Sequence, residues 1–306
     1  MNADPNGPAV QHHRADLDDV RLHYVTAGVG PTVVLLHGWP QTWYCWRHVI
    51  PLLVDGGFRV VAPDLRGLGD SSRPAGGYDT RTVAGDVHRL LCDELELDRF
   101  HVLGHDWGGI VGYSLAAHHP GAPATLTVVD VAIPGDGNPN ISQGGRRWHH
   151  AFHQTADLPE ALVAGREELY LGWFYDNYGH RSDVITADDR AEYLRTYSDP
   201  AAMRAGFAYY RALDRDAADN ARRATEQRIA IPVLALGGAG GWGRGAEVAA
   251  SLERLVDDVT GGVIAEAGHW IPEEQPADLV RRFREFVRGV EERGPARERG
   301  PAPQPS

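Results

Sequence analysis

The sequence predicts an α/β protein, with a mostly parallel central sheet, helices on both faces and an inserted helical cap. Three observations predict it. Short apolar runs alternate with helical stretches in both the first and the last part of the chain. One such run, Thr32 to Leu36 (TVVLL), is apolar without a break, as expected for a strand covered on both faces. From Pro134 to about Arg228 the alternation stops, and only helical stretches rich in Trp, Tyr and Phe follow.

The elements follow in order. Residues 1–10 are polar with Pro and Gly, and are expected to fray. Val20 to Thr26 alternates apolar and polar residues, the pattern of a half-buried antiparallel strand. After the Thr32–Leu36 strand comes a helix over Thr42 to Asp55, closed by Gly56-Gly57. Phe58 to Ala62 is the next strand, and Asp79 to Leu95 an amphipathic helix. Then come a strand at Phe100 to Leu103, a helix at Trp107 to His118 and a strand at Leu126 to Val131. Beyond the insertion the spacing predicts strands at Ile231 to Leu236 and Val263 to Ala265, then a helix over Gln275 to Glu292. Right-handed crossovers would join the parallel strands. The expected organisation is a core over 1–133, a helical cap over 134–229, the rest of the core over 230–292, and a disordered Pro- and Gly-rich tail over 293–306.

Composition narrows the function. The 306 residues, 42% hydrophobic and 24% charged, suit a soluble globular protein with one sizeable core. A net charge of −12 repels nucleic acid and anionic membranes, so neither is an expected partner. The pairs Arg146-Arg147 and Arg222-Arg223 do not build a basic stripe. The chain has no Lys, which excludes Schiff-base chemistry and pyridoxal phosphate enzymes. Cys45 and Cys92 lie far apart and imply neither a metal site nor a disulfide framework. No apolar run approaches the ~20 residues of a membrane span, and the first residues show no secretory h-region. A cytoplasmic location is the expectation.

The segment FHVLGHDWGGIVGYSLAAHHP carries the chemistry. An apolar strand runs into Gly104-His105-Asp106-Trp107-Gly108 and a helix starts at once, the context of a nucleophile elbow. The central residue is Asp106, where a serine hydrolase would carry Ser. A carboxylate is already ionised near neutral pH. It can displace a leaving group at a saturated carbon and form an alkyl ester, which an activated water then hydrolyses. An Asp at that place also caps the helix it precedes.

Two further loops fit the same reading. His37-Gly38-Trp39-Pro40 follows the Thr32–Leu36 strand, so the backbone N–H groups of Trp39 and Trp107 are the candidate oxyanion hole. Ala267-Gly268-His269-Trp270 lies between the last strand and the last helix, where the general base of such an array belongs. His269 is one of 15 histidines and stands out by order and context alone. The usual place for the orienting acid is the loop after Ile231–Leu236, but GGAGGWGRG has no Asp or Glu before Glu247. Asp130, at the end of the Leu126–Val131 strand, takes the role instead; the plain alternative is a loop-capping carboxylate.

The residues HGWPQTWYCW, DLRGLGDSS, GHDWGG and GHWIPEEQP resemble the epoxide hydrolase branch of the α/β hydrolases, over about residues 14 to 290. The resemblance implies the α/β-hydrolase fold, a small apolar epoxide and water as reactants, and no cofactor or metal. Within the insertion, RRWHHAFHQ, LVAGREELYL and FAYYRALDRD are similar to the bacterial Cif-type epoxide hydrolases. That group places its acid at the end of the strand before the cap, as Asp130 would be. It opens the ring with a cap His and a cap Tyr where most relatives use two tyrosines, and these roles fall on His149 and Tyr210. A homodimer is also implied by the resemblance. Cif-type proteins are exported and this chain shows no signal sequence, so no host-directed role is carried over.

Independently of the name, ring opening releases an alkoxide that needs a donor, and a Tyr hydroxyl and a neutral imidazole both donate. His149 and His153, four apart, have a metal-like helical spacing that no further motif supports. The aromatic residues Trp148, Phe152, Trp173, Phe174, Tyr175 and Tyr178 suggest an apolar pocket or the core of the cap. Hydrolytic dehalogenation is the alternative reaction for the same array. Trp107 could donate to a halide, but Trp39 stands where many haloalkane dehalogenases carry Asn. Ile110 and Val111 lie where fluoroacetate dehalogenases read a carboxylate with arginines. A ligand-binding protein without turnover would show an incomplete catalytic set, and a serine esterase would need a Gly-x-Ser-x-Gly segment, which the chain lacks.

Overall fold

The computed structural model describes residues 10–293; residues 1–9 of the stretch expected to fray and residues 294–306 of the expected tail lie outside the described residues. Eight strands form one sheet in the order β1-β2-β4-β3-β5-β6-β7-β8. They are β1 (Gln11–Leu17), β2 (Val20–Ala27), β3 (Thr32–Leu36), β4 (Arg59–Pro63), β5 (Phe100–His105), β6 (Pro123–Val129), β7 (Val233–Gly238) and β8 (Val259–Ile264). β2 runs antiparallel to both its neighbours, β1 and β4, and all other pairs are parallel. This is the predicted mostly parallel sheet.

The core helices are α1 (Val49–Asp55), α2 (Thr80–His88) and α3 (Trp107–His118), with α10 (Glu247–Glu253), α11 (Ile271–Glu274) and α12 (Pro276–Arg293) near the other end. They cover both faces. On β5, the His101 ring meets Phe283 of α12, while Val102 packs under Gly112 of α3. Successive strand residues point to opposite faces, so α3 and α12 lie on opposite sides of the sheet. The fully buried runs of β3, β5, β6 and β7 are the consequence.

Between β6 and β7 lie six helices and, among the described residues, no strand: α4 (His149–Gln154), α5 (Leu158–Val163), α6 (Glu167–Asn177), α7 (Ala187–Tyr197), α8 (Pro200–Arg211) and α9 (Leu213–Glu226). Buried tyrosine hydroxyls tie them to core carbonyls: Tyr175 donates to Pro40 at 2.7 Å, Tyr197 to Gln41 at 3.0 Å and Tyr209 to Arg66 at 2.8 Å. Arg47 bridges the two layers, reaching Asp189 of α7 at 2.9 Å and Glu273 of α11 at 2.6 Å. No helix among the described residues is long and apolar enough to cross a membrane.

Several elements differ from expectation. β8 begins four residues before the expected start at Val263, and the helix expected over 79–95 is α2 followed by a π-helical turn at Arg89–Glu94. β1 was not predicted; only Ala15 and Leu17 of its seven residues are buried, so it shows little apolar pattern. The helix over 42–55 is a 3-10 turn at Trp43–Trp46 followed by α1. Pro51 lies in the first turn of α1, where its missing N–H is tolerated; inside a continuous helix it would break a hydrogen bond. The last helix is preceded by the separate turn of α11, and α12 continues to Arg293.

Asp216 of α9 fastens the insertion to the core by accepting the Thr80 N–H at 2.9 Å, while its second oxygen has no partner. Burial pushes its carboxyl from an ordinary 3.8 up to about 7, partly offset by the Thr80 bonds. The folded state therefore holds a proton that the unfolded chain has already lost. This contribution to stability is complete below the ordinary value and disappears as pH rises through about 7. Asp216→Asn keeps an acceptor for Thr80 and cannot ionise. Its melting temperature relative to the native protein should rise by a few degrees between about pH 5 and about pH 8. A difference that stays constant across that range contradicts the assignment.

Candidate active site

β5 ends on a turn that the chain can make only with small residues around it. A Cβ on Gly104 would sit 2.2 Å from the Gly108 carbonyl oxygen, and one on Gly108 would sit 2.0 Å from that of Leu36. Those contacts press the start of α3 against β5 and β3. Asp106, between them, has φ 52° and ψ −125°, a conformation L-residues avoid. Strain of this kind is what a sharp strand-to-helix turn requires. The side chain is lifted over the carboxyl edge of the sheet at the N-terminus of α3.

The neighbouring strand ends are registered on it. The Asp106 N–H donates to Val129 O at 3.1 Å, and the Asp130 N–H to Leu236 O at 2.8 Å. Asp106 Oδ1 accepts the Trp39 N–H at 3.1 Å, an approach that a Cβ on Gly38, 2.4 Å from the same oxygen, would block. Asp106 Oδ2 lies 3.6 Å from His269 Nε2. The Trp107 N–H makes no bond to this carboxylate among the described residues, so one of the two expected backbone donors is engaged.

His269 Nδ1 lies 2.7 Å from Asp130 Oδ2. Asp130 is fully buried, and its other oxygen accepts the N–H groups of Gly238 at 2.9 Å and Arg244 at 2.7 Å. Burial alone would raise its carboxyl, but the His269 ring, Arg147 and the Arg244 N–H outweigh it and hold it below the ordinary carboxylate value. The loop that lacks an acid supplies these two N–H donors instead.

The backbone of His269 is fixed as firmly as its ring. Its N–H donates to Tyr178 O at 2.8 Å, and its carbonyl is 2.7 Å from His105 Nε2. Burial, followed by the His269 ring, lowers His105 to about 4, so His105 is neutral and donates through Nε2. His105 was not expected from the sequence to matter.

Across the cleft from Asp106 stand His149 and Tyr210, as the resemblance implied, and both line the same cavity as Asp106 and His269. About 490 Å³ of space lies there, its opening to solvent included. Burial, then His150, His153 and Arg147, hold the His149 imidazole well below its ordinary range, so it is neutral. Its Nδ1 is 2.9 Å from the Tyr178 hydroxyl, which has no other acceptor among the described residues. Tyr178 therefore donates to Nδ1, and the ring proton resides on Nε2. Burial, then the Asp106 charge, raises the Tyr210 hydroxyl well above its ordinary value, so it too stays protonated. The Trp107 indole packs edge-on against the Tyr210 ring, their centres 5.1 Å apart.

Of the six aromatic residues expected around a pocket or in the cap core, Phe174 and Tyr178 line the cleft. Tyr175 binds Pro40, and Trp148 and Trp173 pack together at the surface. The His149–His153 pair is divided between tyrosines, His153 Nε2 lying 2.5 Å from the Tyr170 hydroxyl. One other group among the described residues has metal-ligand spacing, His23, Asp64 and Asp70. Its carboxylates are already engaged: Asp64 accepts the N–H groups of Trp43 and Asp70, and Asp70 pairs with Arg195 at 2.6 Å.

A strained strand-to-helix turn carrying Asp106, a histidine after the last strand held by a buried carboxylate, and helices inserted before β7 are the plan of an α/β hydrolase. The alpha/beta hydrolase fold family model matches residues 31–276, and the chain belongs to that family, in the branch that holds the soluble epoxide hydrolases. It is 40% identical over 283 residues to a soluble epoxide hydrolase of Corynebacterium sp. (strain C12), covering 89% of this chain and 95% of that protein. It is 34% identical over 206 residues to a fluoroacetate dehalogenase of Burkholderia sp., covering 64% of this chain and 67% of that one. The solved structure of epoxide hydrolase CorEH without ligand superposes with a TM-score of 0.84 at 36% identity, covering 92% of this chain and all of that one.

The tautomer of His149 is open to direct measurement. Two-bond proton–nitrogen correlation spectra should show His149 neutral and protonated at Nε2 at pH 6, below the ordinary histidine value of 6.5. Tyr178→Phe should erase that preference for one tautomer. A His149 that titrates near the ordinary value would contradict the arrangement.

Proposed function

We propose that this chain hydrolyses epoxides to vicinal diols through a covalent alkyl ester on Asp106. The observation that carries the reading is a carboxylate at the elbow with its two oxygens in different surroundings. Oδ1 is tied to the Trp39 N–H, and Oδ2 lies beside His269 Nε2 and faces the cleft. Oδ2 is therefore the nucleophile.

In the first half-reaction Oδ2 attacks a ring carbon from the side opposite the breaking C–O bond. The ring oxygen leaves as an alkoxide and takes a proton or hydrogen bond from the Tyr210 hydroxyl and the His149 Nε2–H. Burial serves this step, because both donors must carry their proton and no positive charge as the alkoxide forms. In the second half-reaction His269 Nε2 removes a proton from water, and the hydroxide attacks the ester carbon of Asp106. The Trp39 N–H holds the oxyanion and the Trp107 N–H at the start of α3 is the second donor. As the carbonyl re-forms, the diol oxygen leaves with the proton of the His269 imidazolium, and the proton left on the Asp106 carboxyl returns through water to the donor that opened the ring. Asp130 keeps the His269 proton on Nδ1 and stabilises the imidazolium. Cofactor and metal have no step in this scheme.

Hydrolytic dehalogenation by the same three residues is the second reading, favoured by the fluoroacetate dehalogenase relative. Against it, Trp107, Ile110 and Val111 stand where fluoroacetate dehalogenases read a carboxylate with arginines.

One reagent separates the two. His269→Gln retains the nucleophile and loses the base, so incubation with epibromohydrin should strand the ester. Intact mass should show an adduct of the whole reagent with the bromine doublet, absent from a variant that also carries Asp106→Asn. An adduct that has lost bromide assigns the chain to the dehalogenases. Asp130→Asn should lower kcat for epoxide opening by about 10³–10⁴ through the misplaced His269 proton, with the alkylated enzyme accumulating during turnover. Loss of rate without that accumulation would place Asp130 outside the second half-reaction.

A further inference from the structure

Among the described residues three arginines are buried: Arg66, Arg147 and Arg244. Arg66 pairs with Asp86 at 2.6 Å and Asp19 at 2.7 Å, and Arg244 with Glu247 at 2.9 Å. Arg147, 3% exposed, has no carboxylate within 4 Å among the described residues. Its Nη2 donates to the Trp242 carbonyl at 2.8 Å, its carbon lies 5.9 Å from the Tyr178 ring centre, and its Nε has no partner. It also lines the catalytic cleft, with Arg244 beside it.

A buried guanidinium that no carboxylate touches is costly, and its orphaned N–H more so; the Asp130 charge acts on Arg147 only at a distance. Asp106 does not relieve it by contact, since its oxygens meet Trp39 and His269. Asp130 is filled by His269, Gly238 and Arg244. Burial, then the like charge of Arg147, lowers Arg244 to about 10 against the pull of Glu247, which contacts Arg244 and not Arg147. The planar fork of Arg147 is held in place by Trp242 and Tyr178, and such a fork matches a carboxylate.

We propose that Arg147 is an anion-binding subsite of the cleft, and that the epoxides this site takes carry a carboxylate. The proposal rests on the epoxide reading above and narrows its substrate class. The ring would sit between Asp106 and the His149–Tyr210 donors, with the carboxylate on Arg147, fixing which ring carbon meets Oδ2.

The test compares 3,4-epoxybutanoate and 4,5-epoxypentanoate with their primary amides. In the native enzyme kcat/KM should favour at least one carboxylate over its amide by roughly tenfold or more. That ratio should fall to about one in Arg147→Gln and recover in part in Arg147→Lys. Taking the ratio within each protein cancels any general loss of activity or folding. Equal use of acid and amide by the native enzyme, or a ratio untouched in Arg147→Gln, overturns the subsite. Should the native enzyme open none of these epoxides, and no uncharged epoxide either, the hydrolase reading falls. The subsite is then judged by calorimetric titration with butanoate and butanamide. Tighter butanoate binding that disappears in Arg147→Gln upholds it, and equal binding of the two overturns it.

Discussion

Three strand ends and one strained turn set the position of everything reactive in this molecule. Asp106 takes a positive φ because the helix that follows must fold straight back over β5, and the Gly104–Gly108 approach lets it do so. The N–H of Asp106 is spent on Val129, and that of Asp130 on Leu236. The two carboxylates thus stand at the ends of adjacent strands, in register with the sheet itself. Loops alone could not hold such an arrangement, since precision comes from rigid elements. The strain at Asp106 persists because the surrounding packing over-determines it.

The inserted helices do more than roof the cleft. Tyr178 supplies a carbonyl to the His269 N–H and a hydroxyl to His149 Nδ1. One residue at α6's C-terminal edge therefore links His269 to His149, the base and a donor of the proposed reaction. Exclusion of water by the cap keeps His149 neutral, the form that the proposed ring opening requires. The same exclusion is what makes Arg147, which no carboxylate touches, significant; at an exposed site such a charge would be solvated and mean little.

Much of this was legible in the sequence where one residue's role depends on its immediate neighbours. TVVLL reads as a doubly covered strand because both its faces are apolar, and Asp106 reads as a nucleophile because its glycines are at fixed spacing. Asp130 was legible by elimination, from a loop with no acid. β1 was not, because at the sheet margin QHHRADL presents mostly polar residues to solvent. His105, Tyr178 and Arg147 were not legible as site residues either. Each acts through a partner remote in sequence: His269 for His105, His149 for Tyr178, Trp242 for Arg147. A local pattern holds no trace of such pairings.

The glycine-rich loop after β7 shows how a missing residue is replaced by backbone. A carboxylate there would reach His269 from β7; instead Gly238 and Arg244 turn their N–H groups onto Asp130, one strand away. The acid remains ionised while buried because the His269 ring, the Arg147 charge and the two N–H dipoles together stabilise it. Moving the acid to the end of β6 also puts it at the root of the insertion, which begins a few residues later. The strand that orients the base is thus the strand from which the cap departs, and cap placement and triad geometry are set by a common anchor.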